Sequence, residues 1–123
     1  MIKKPFIVFP LFVFVLLSLG SNAQVQFKKQ MIAAESFESV GVFDVNKDGQ
    51  PDIVSGTFWY EGPDFIKRHF IGHLNRSGDG QYWDDFATIP LDVNGDGKMD
   101  YVTGDWFKKS IWWRENPGNG GEW

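Results

Sequence analysis

A thirteen-residue segment occurs twice, with eight positions identical. Asp44-Val45-Asn46-Lys47-Asp48-Gly49-Gln50-Pro51-Asp52-Ile53-Val54-Ser55-Gly56 returns as Asp92-Val93-Asn94-Gly95-Asp96-Gly97-Lys98-Met99-Asp100-Tyr101-Val102-Thr103-Gly104, displaced by 48 positions. The likeness extends outward. Glu35-Ser36-Phe37-Glu38-Ser39 matches Asp84-Asp85-Phe86-Ala87-Thr88 upstream, and Trp59-Tyr60-Glu61-Gly62-Pro63 matches Trp113-Arg114-Glu115-Asn116-Pro117 downstream. The second copy carries six extra residues around 105–110. A repeat of this period folds as a series of like units, each burying its apolar face against its neighbour.

The units read as short strands. Residues 40–43 run into the Asp-rich loop, 53–58 leave it, and Trp59-Tyr60 continue after a break at Gly56. Residues 61–64 read as a turn and 67–71 as a further strand. No sustained helical period is present. Aromatics at 17% with fourteen Gly suit an all-β, turn-rich fold. The adjacent apolar pairs Ile53-Val54 and Tyr101-Val102 predict strands covered on both faces, as in stacked propeller blades.

The repeated loop carries the chemistry. Asp44, Asn46, Asp48 and Asp52 stand at positions 1, 3, 5 and 9, and Asp92, Asn94, Asp96 and Asp100 do so in the second copy. All eight are hard oxygen donors of the kind Ca²⁺ requires. Gly49 and Gly97 at position 6 suit a sharp turn through positive φ. Gln50 and Lys98 at position 7 are expected to offer backbone carbonyls, with their side chains pointing away. Three carboxylates in one short loop repel unless a cation sits among them. An EF-hand closes with a bidentate Glu at position 12; here position 12 is Ser55 or Thr103, and the closing carboxylate is Asp52 or Asp100. That predicts loops joining antiparallel strands, with Phe43 entering and Ile53 leaving the first, and Leu91 entering and Tyr101 leaving the second.

The start of the chain reads as an export leader over residues 1–23. Lys3 and Lys4 precede an apolar run from Phe6 to Leu17, and Ser21-Asn22-Ala23 places small residues before Gln24. Cleavage after Ala23 yields a secreted or periplasmic protein without stable membrane insertion. Of 12 basic side chains the leader takes two, while all 16 acidic ones remain, so the exported chain is more acidic than the −4 of the whole. That balance argues against a nucleic-acid partner. The absence of Cys excludes disulfides, thiolate zinc sites and thiol nucleophiles.

The loop Asp-x-Asn-x-Asp-Gly-x-x-Asp, followed by Ile-Val-x-Gly and by Trp-Tyr-Glu-Gly-Pro or Trp-Arg-Glu-Asn-Pro-Gly, resembles the FG-GAP/VCBS repeats of secreted bacterial proteins, related to the integrin α-chain propeller. The resemblance covers residues 24–123, with one repeat at about 33–72 and an incomplete second at about 82–123. It implies a β-propeller of four-stranded blades with about two Ca²⁺ per chain. The implied ligands are Asp44, Asn46, Asp48, the Gln50 carbonyl and Asp52, then Asp92, Asn94, Asp96, the Lys98 carbonyl and Asp100. About two blades make an incomplete propeller, so the chain reads as part of a longer one, the missing blades coming from that chain or from other copies.

The function this implies is a calcium-stabilised binding or adhesion scaffold for a protein or carbohydrate ligand. A second reading is a polysaccharide lyase or hydrolase built on such a propeller, although no catalytic constellation is visible. A third is a dockerin-like module, whose loops share Asp-Val-Asn-Gly-Asp-Gly but lead into helices. Among other candidates, His69 and His73 lack a third strong ligand nearby. Asp84 and Asp85 are adjacent in an extended segment and so face opposite ways; they read as solvated or turn-capping. The tryptophans Trp59, Trp83, Trp106, Trp112 and Trp113 are expected mostly between blades, leaving room for one exposed binding Trp.

Overall fold

The computed structural model describes residues 24–119 and 121–123. The expected leader and its last residue, Ala23, lie outside the described residues. Residues 31–123 form one compact unit. The described residues contain strands and turns and no helix.

Nine strands follow in order: β1 (Gly41–Phe43), β2 (Asp52–Ser55), β3 (Phe58–Tyr60), β4 (Arg68–Phe70), β5 (Arg76–Ser77), β6 (Tyr82–Trp83), β7 (Ile89–Leu91), β8 (Asp100–Asp105) and β9 (Ser110–Arg114). They form three antiparallel sheets, ordered β1-β2-β3-β4, β5-β6 and β7-β8-β9, none of which closes. The fold is therefore all-β. One sheet has four strands and another three, in line with the expected incompleteness of the second repeat, and an unexpected two-stranded ribbon lies between them in sequence.

Both Asp-rich loops join antiparallel strands, as the position-9 carboxylates require. Phe43 pairs with Asp52 across the first loop, and Leu91 with Asp100 across the second. After the first loop the chain departs from expectation. It does not run on from Ile53 through Phe58 but reverses at Gly56-Thr57, so that Val54 pairs with Trp59. Gly56 makes the reversal with φ +59°, and the Phe37 ring lies where its Cβ would be. In the second copy the extra residues lengthen the same hairpin. β8 extends to Asp105, residues 106–109 turn, and β9 returns from Ser110.

Strand alternation gives each large sheet two faces. In the first sheet, Gly41, Phe43, Val54 and Trp59 share one face, here termed trailing, while Val42, Ile53, Phe58 and Phe70 share the leading face. In the second sheet, Pro90, Tyr101, Thr103 and Trp112 lie on the leading face and Ile89, Leu91, Val102 and Trp113 on the trailing one. The core forms where trailing meets leading. Phe43, Val54 and Trp59 pack with Val45, Ile71 and Tyr101, flanked by Met99 and Trp123. Val54, Ile71 and Tyr101 are wholly buried, the two aliphatic side chains contributing roughly 1.5–3 kcal/mol each. Gly41 belongs to this contact, since a Cβ there would lie 2.6 Å from Thr88 Cγ2.

The β5-β6 ribbon packs on the long hairpin. Ser77 Oγ donates to buried Asp105 at 2.5 Å. Tyr82 and Phe86 contact Phe107 in the hairpin turn at ring separations of 5.5 and 6.1 Å. The six extra residues of the second repeat thus supply the ribbon's packing surface.

Candidate metal centre

Each Asp-rich loop is organised by its own acidic side chains. In the first, Asp44 accepts the N–H groups of Asp48 and Gly49 at 3.1 and 2.9 Å. Asn46 Oδ1 accepts from Asp48 N, and Asp48 Oδ1 from Gln50 N. The second repeats this bond for bond: Asp92 accepts from Asp96 and Gly97, Asn94 from Asp96 N, and Asp96 from Lys98 N. Position 6 has positive φ in both, +85° at Gly49 and +81° at Gly97. Free of helical or sheet pairing, the loop N–H groups turn to the nearest carboxylates, and the side chains at positions 1, 3 and 5 are drawn inward.

The position-9 carboxylates differ in kind. Asp52 and Asp100 are wholly buried. Asp52 accepts from Val45 N and Gly62 N, both at 2.8 Å. Asp100 accepts from Val93 N at 3.1 Å and Asn116 N at 2.8 Å. Gly62 and Asn116 are equivalent positions in the Trp-x-Glu-Gly-Pro and Trp-x-Glu-Asn-Pro motifs. One carboxylate thus ties the loop to the motif that follows it, which explains why the two occur together. The recurrence of loop and motif as a pair is the trace of this tie in the sequence.

The position-7 side chains do not both point away. Lys98 folds back onto Asp96, where its ammonium pairs with Oδ2. The hydrogen bonds from Lys98 hold the Asp96 carboxyl below its ordinary value, and the same contact raises the Lys98 pKa. Gln50 carries no charge, so position 7 of the first loop supplies no counter-ion.

The donor set of each loop is carboxylate, amide carbonyl and backbone carbonyl, which is the chemistry of a hard divalent cation. Each carboxylate oxygen that accepts one N–H keeps a second lone pair. Among the described residues, however, no group of three or more His, Asp or Glu side chains is gathered as a metal site. Backbone N–H groups, and in the second loop Lys98, occupy the carboxylates instead. The donors fit a calcium ion by type, with Asp52 and Asp100 already committed to bracing.

The histidines and the acidic pair make packing and bracing contacts. His69 stacks on Trp59 at 4.0 Å and meets Glu61 at 2.9 Å, whereas His73 lies against the edge of Phe70. Hydrogen bonds from Lys67 and His69 hold the Glu61 carboxyl below its ordinary value. Asp84 and Asp85 are buried rather than solvated. Asp84 braces Asn75 through its N and Nδ2. Asp85 Oδ1 accepts from Ser39 and Thr103, joining the two large sheets, and burial raises its pKa. Of the tryptophans, Trp106 is the most exposed, at 77%, on the long hairpin turn, while Trp59 is buried.

Comparison with protein-family models, with curated proteins and with solved structures gives no match.

Proposed function

We propose that this chain is a calcium-binding repeat protein of the FG-GAP/VCBS type, exported behind a leader cleaved after Ala23, whose stacked sheets are propeller blades serving as a binding or adhesion scaffold. The observation that carries this is the duplication of a whole device. Two loops of the same donors and spacing, braced by Asp52 and Asp100 to the same downstream motif, sit on antiparallel hairpins stacked in the same sense. Strands begin at Asp52 and Asp100 themselves, which favours this reading over the dockerin-like one, where helices follow the loops.

Calcium acts here on the chain's own residues. Bound in the loops, it neutralises the carboxylates at positions 1, 5 and 9 and fixes the hairpin ends. The ligand surface is then the assembly of loops and exposed aromatics such as Trp106. Thermal melting with and without millimolar Ca²⁺ tests the proposal, with a rise in Tm expected. An unchanged Tm overturns the calcium role. Mass spectrometry of the exported protein is expected to find Gln24 at its start, and an intact Met1 overturns the leader.

A further inference from the structure

We propose that the trailing face of the second sheet docks the leading face of the first sheet of another copy of this chain, joining copies head to tail. The inference rests on reading the two large sheets as successive repeat units. The contact needed already exists once inside the chain, where the second sheet's leading face covers the first sheet's trailing face.

Among the described residues, the apolar side chains of the second sheet's trailing face are left largely uncovered, although Asp100 on that face is buried. Ile89, Leu91, Ile111 and Trp113 are 56, 52, 81 and 38% exposed. With Val102 as floor, Ile89 and Ile111 line an open apolar groove of about 560 Å³. The residues of the trailing face are the positional counterparts of a face that is buried: Val102 corresponds to Val54, Leu91 to Phe43 and Trp113 to Trp59, and these three counterparts are buried in the first sheet. At the other end of the stack the first sheet's leading face is open along β1 and at Phe70, while Tyr60 on the same face is buried and Arg68 lies over Phe58. Val40 and Val42 are 63 and 60% exposed and Phe70 39%.

Two uncovered apolar faces on one small protein mark an interaction surface. Because they are the two halves of one contact, each fits the other and not itself, which is a heterologous interface. The register follows. Inside the chain Thr88 lies against Gly41; one repeat on, Val40 of the next copy lies against Ile89. Ile89 and Val40 are bulkier than Gly41 and Thr88, so copies stand further apart at that edge than the sheets within a chain.

The cysteine-free sequence provides the test. Full-length V40C and I89C chains, mixed and oxidised, are expected to yield the mixed disulfide at least about tenfold over either homodimer, because docking raises the local concentration of that thiol pair. Adding I111E to the I89C chain is expected to remove the excess. Homodimers in equal or greater yield overturn the proposal. Should a cysteine disturb folding, V42E and I111E chains read the same contact by sedimentation. Each alone is expected to be monomeric, while their mixture forms a one-to-one pair. Association that either single variant retains, or a mixture that stays monomeric, overturns it. Tm with and without Ca²⁺ in the same samples separates the two readings: a monomer that responds to Ca²⁺ overturns docking alone, and docking without a Ca²⁺ response supports docking while overturning the calcium role.

Discussion

Asn116 donates through Nδ2 to the carbonyl of Val45 at 2.9 Å, bridging 71 positions of sequence. Its backbone N–H meanwhile holds Asp100. A single residue of the second repeat thus closes its own loop and caps the first, beside a buried carboxylate in each. The stack is held by polar bonds as well as by apolar packing.

Those carboxylates carry the first prediction. Asp52→Ala leaves the buried Val45 N–H and the half-buried Gly62 N–H without an acceptor and is expected to cost about 3 kcal/mol of stability in calcium-free protein. Asp48→Ala, at an exposed position, is expected to cost under about 1 kcal/mol there. Urea unfolding in chelator measures both. Equal losses would deny position 9 its separate bracing role.

Two glycines separate conformational demand from close contact. Gly49→Ala has open space around it and only the positive φ to contend with, for an expected cost of about 1 kcal/mol. Gly56→Ala adds a collision, since its Cβ would come within 2.3 Å of the Phe37 ring. Overpacking then adds about 1–3 kcal/mol. Thermal melts of the pair check the order, and a milder Gly56 variant would contradict the packing described.

Asp85 makes stability depend on pH. Its folded-state pKa is raised by burial, against hydrogen bonds from Thr103 and Ser39 and the opposing fields of Arg114 and Asp84. A raised carboxyl pKa means its contribution is present below the ordinary value of 3.8 and is lost as pH rises through the folded pKa. Asp85→Asn keeps an acceptor for Ser39 and Thr103 and has no charge to bury. Relative to wild type it is expected to gain stability as pH rises from acid to neutrality. A constant difference would contradict this.

The loops were legible in the sequence because the Asp and Asn residues proposed to hold a cation also form the side-chain-to-backbone bonds of a tight turn. Strand entry at Phe43 and Leu91 followed from that. The reversal at Gly56-Thr57 was not legible, because apolar residues continue on both sides of the glycine and mimic one long strand. The β5-β6 ribbon, of two-residue strands, is too short to show alternation; it is set by Ser77–Asp105 and Phe107, contacts distant in sequence. The inward fold of Lys98 is an electrostatic choice that spacing alone does not specify.

Lys98 implies unequal loops. Its ammonium competes with a cation for Asp96, so the second loop is expected to bind Ca²⁺ more weakly than the first. Lys98→Gln, which copies Gln50, is expected to strengthen the second site about threefold, a change typical of removing an exposed ion pair. Calcium titrations of the Asp48→Ala chain, in which the second loop remains, measure it. An unchanged or weaker affinity would contradict the competition.

The central claim is that the duplicated loops are two calcium sites. Isothermal titration of Ca²⁺ into the exported chain from Gln24 tests it most directly. Close to two ions per chain are expected, about one lost in Asp48→Ala and about one in Asp96→Ala, since position 5 would supply one carboxylate to each ion. Folded protein that takes up no Ca²⁺ at millimolar free ion, or that keeps both ions in the two variants, would contradict it.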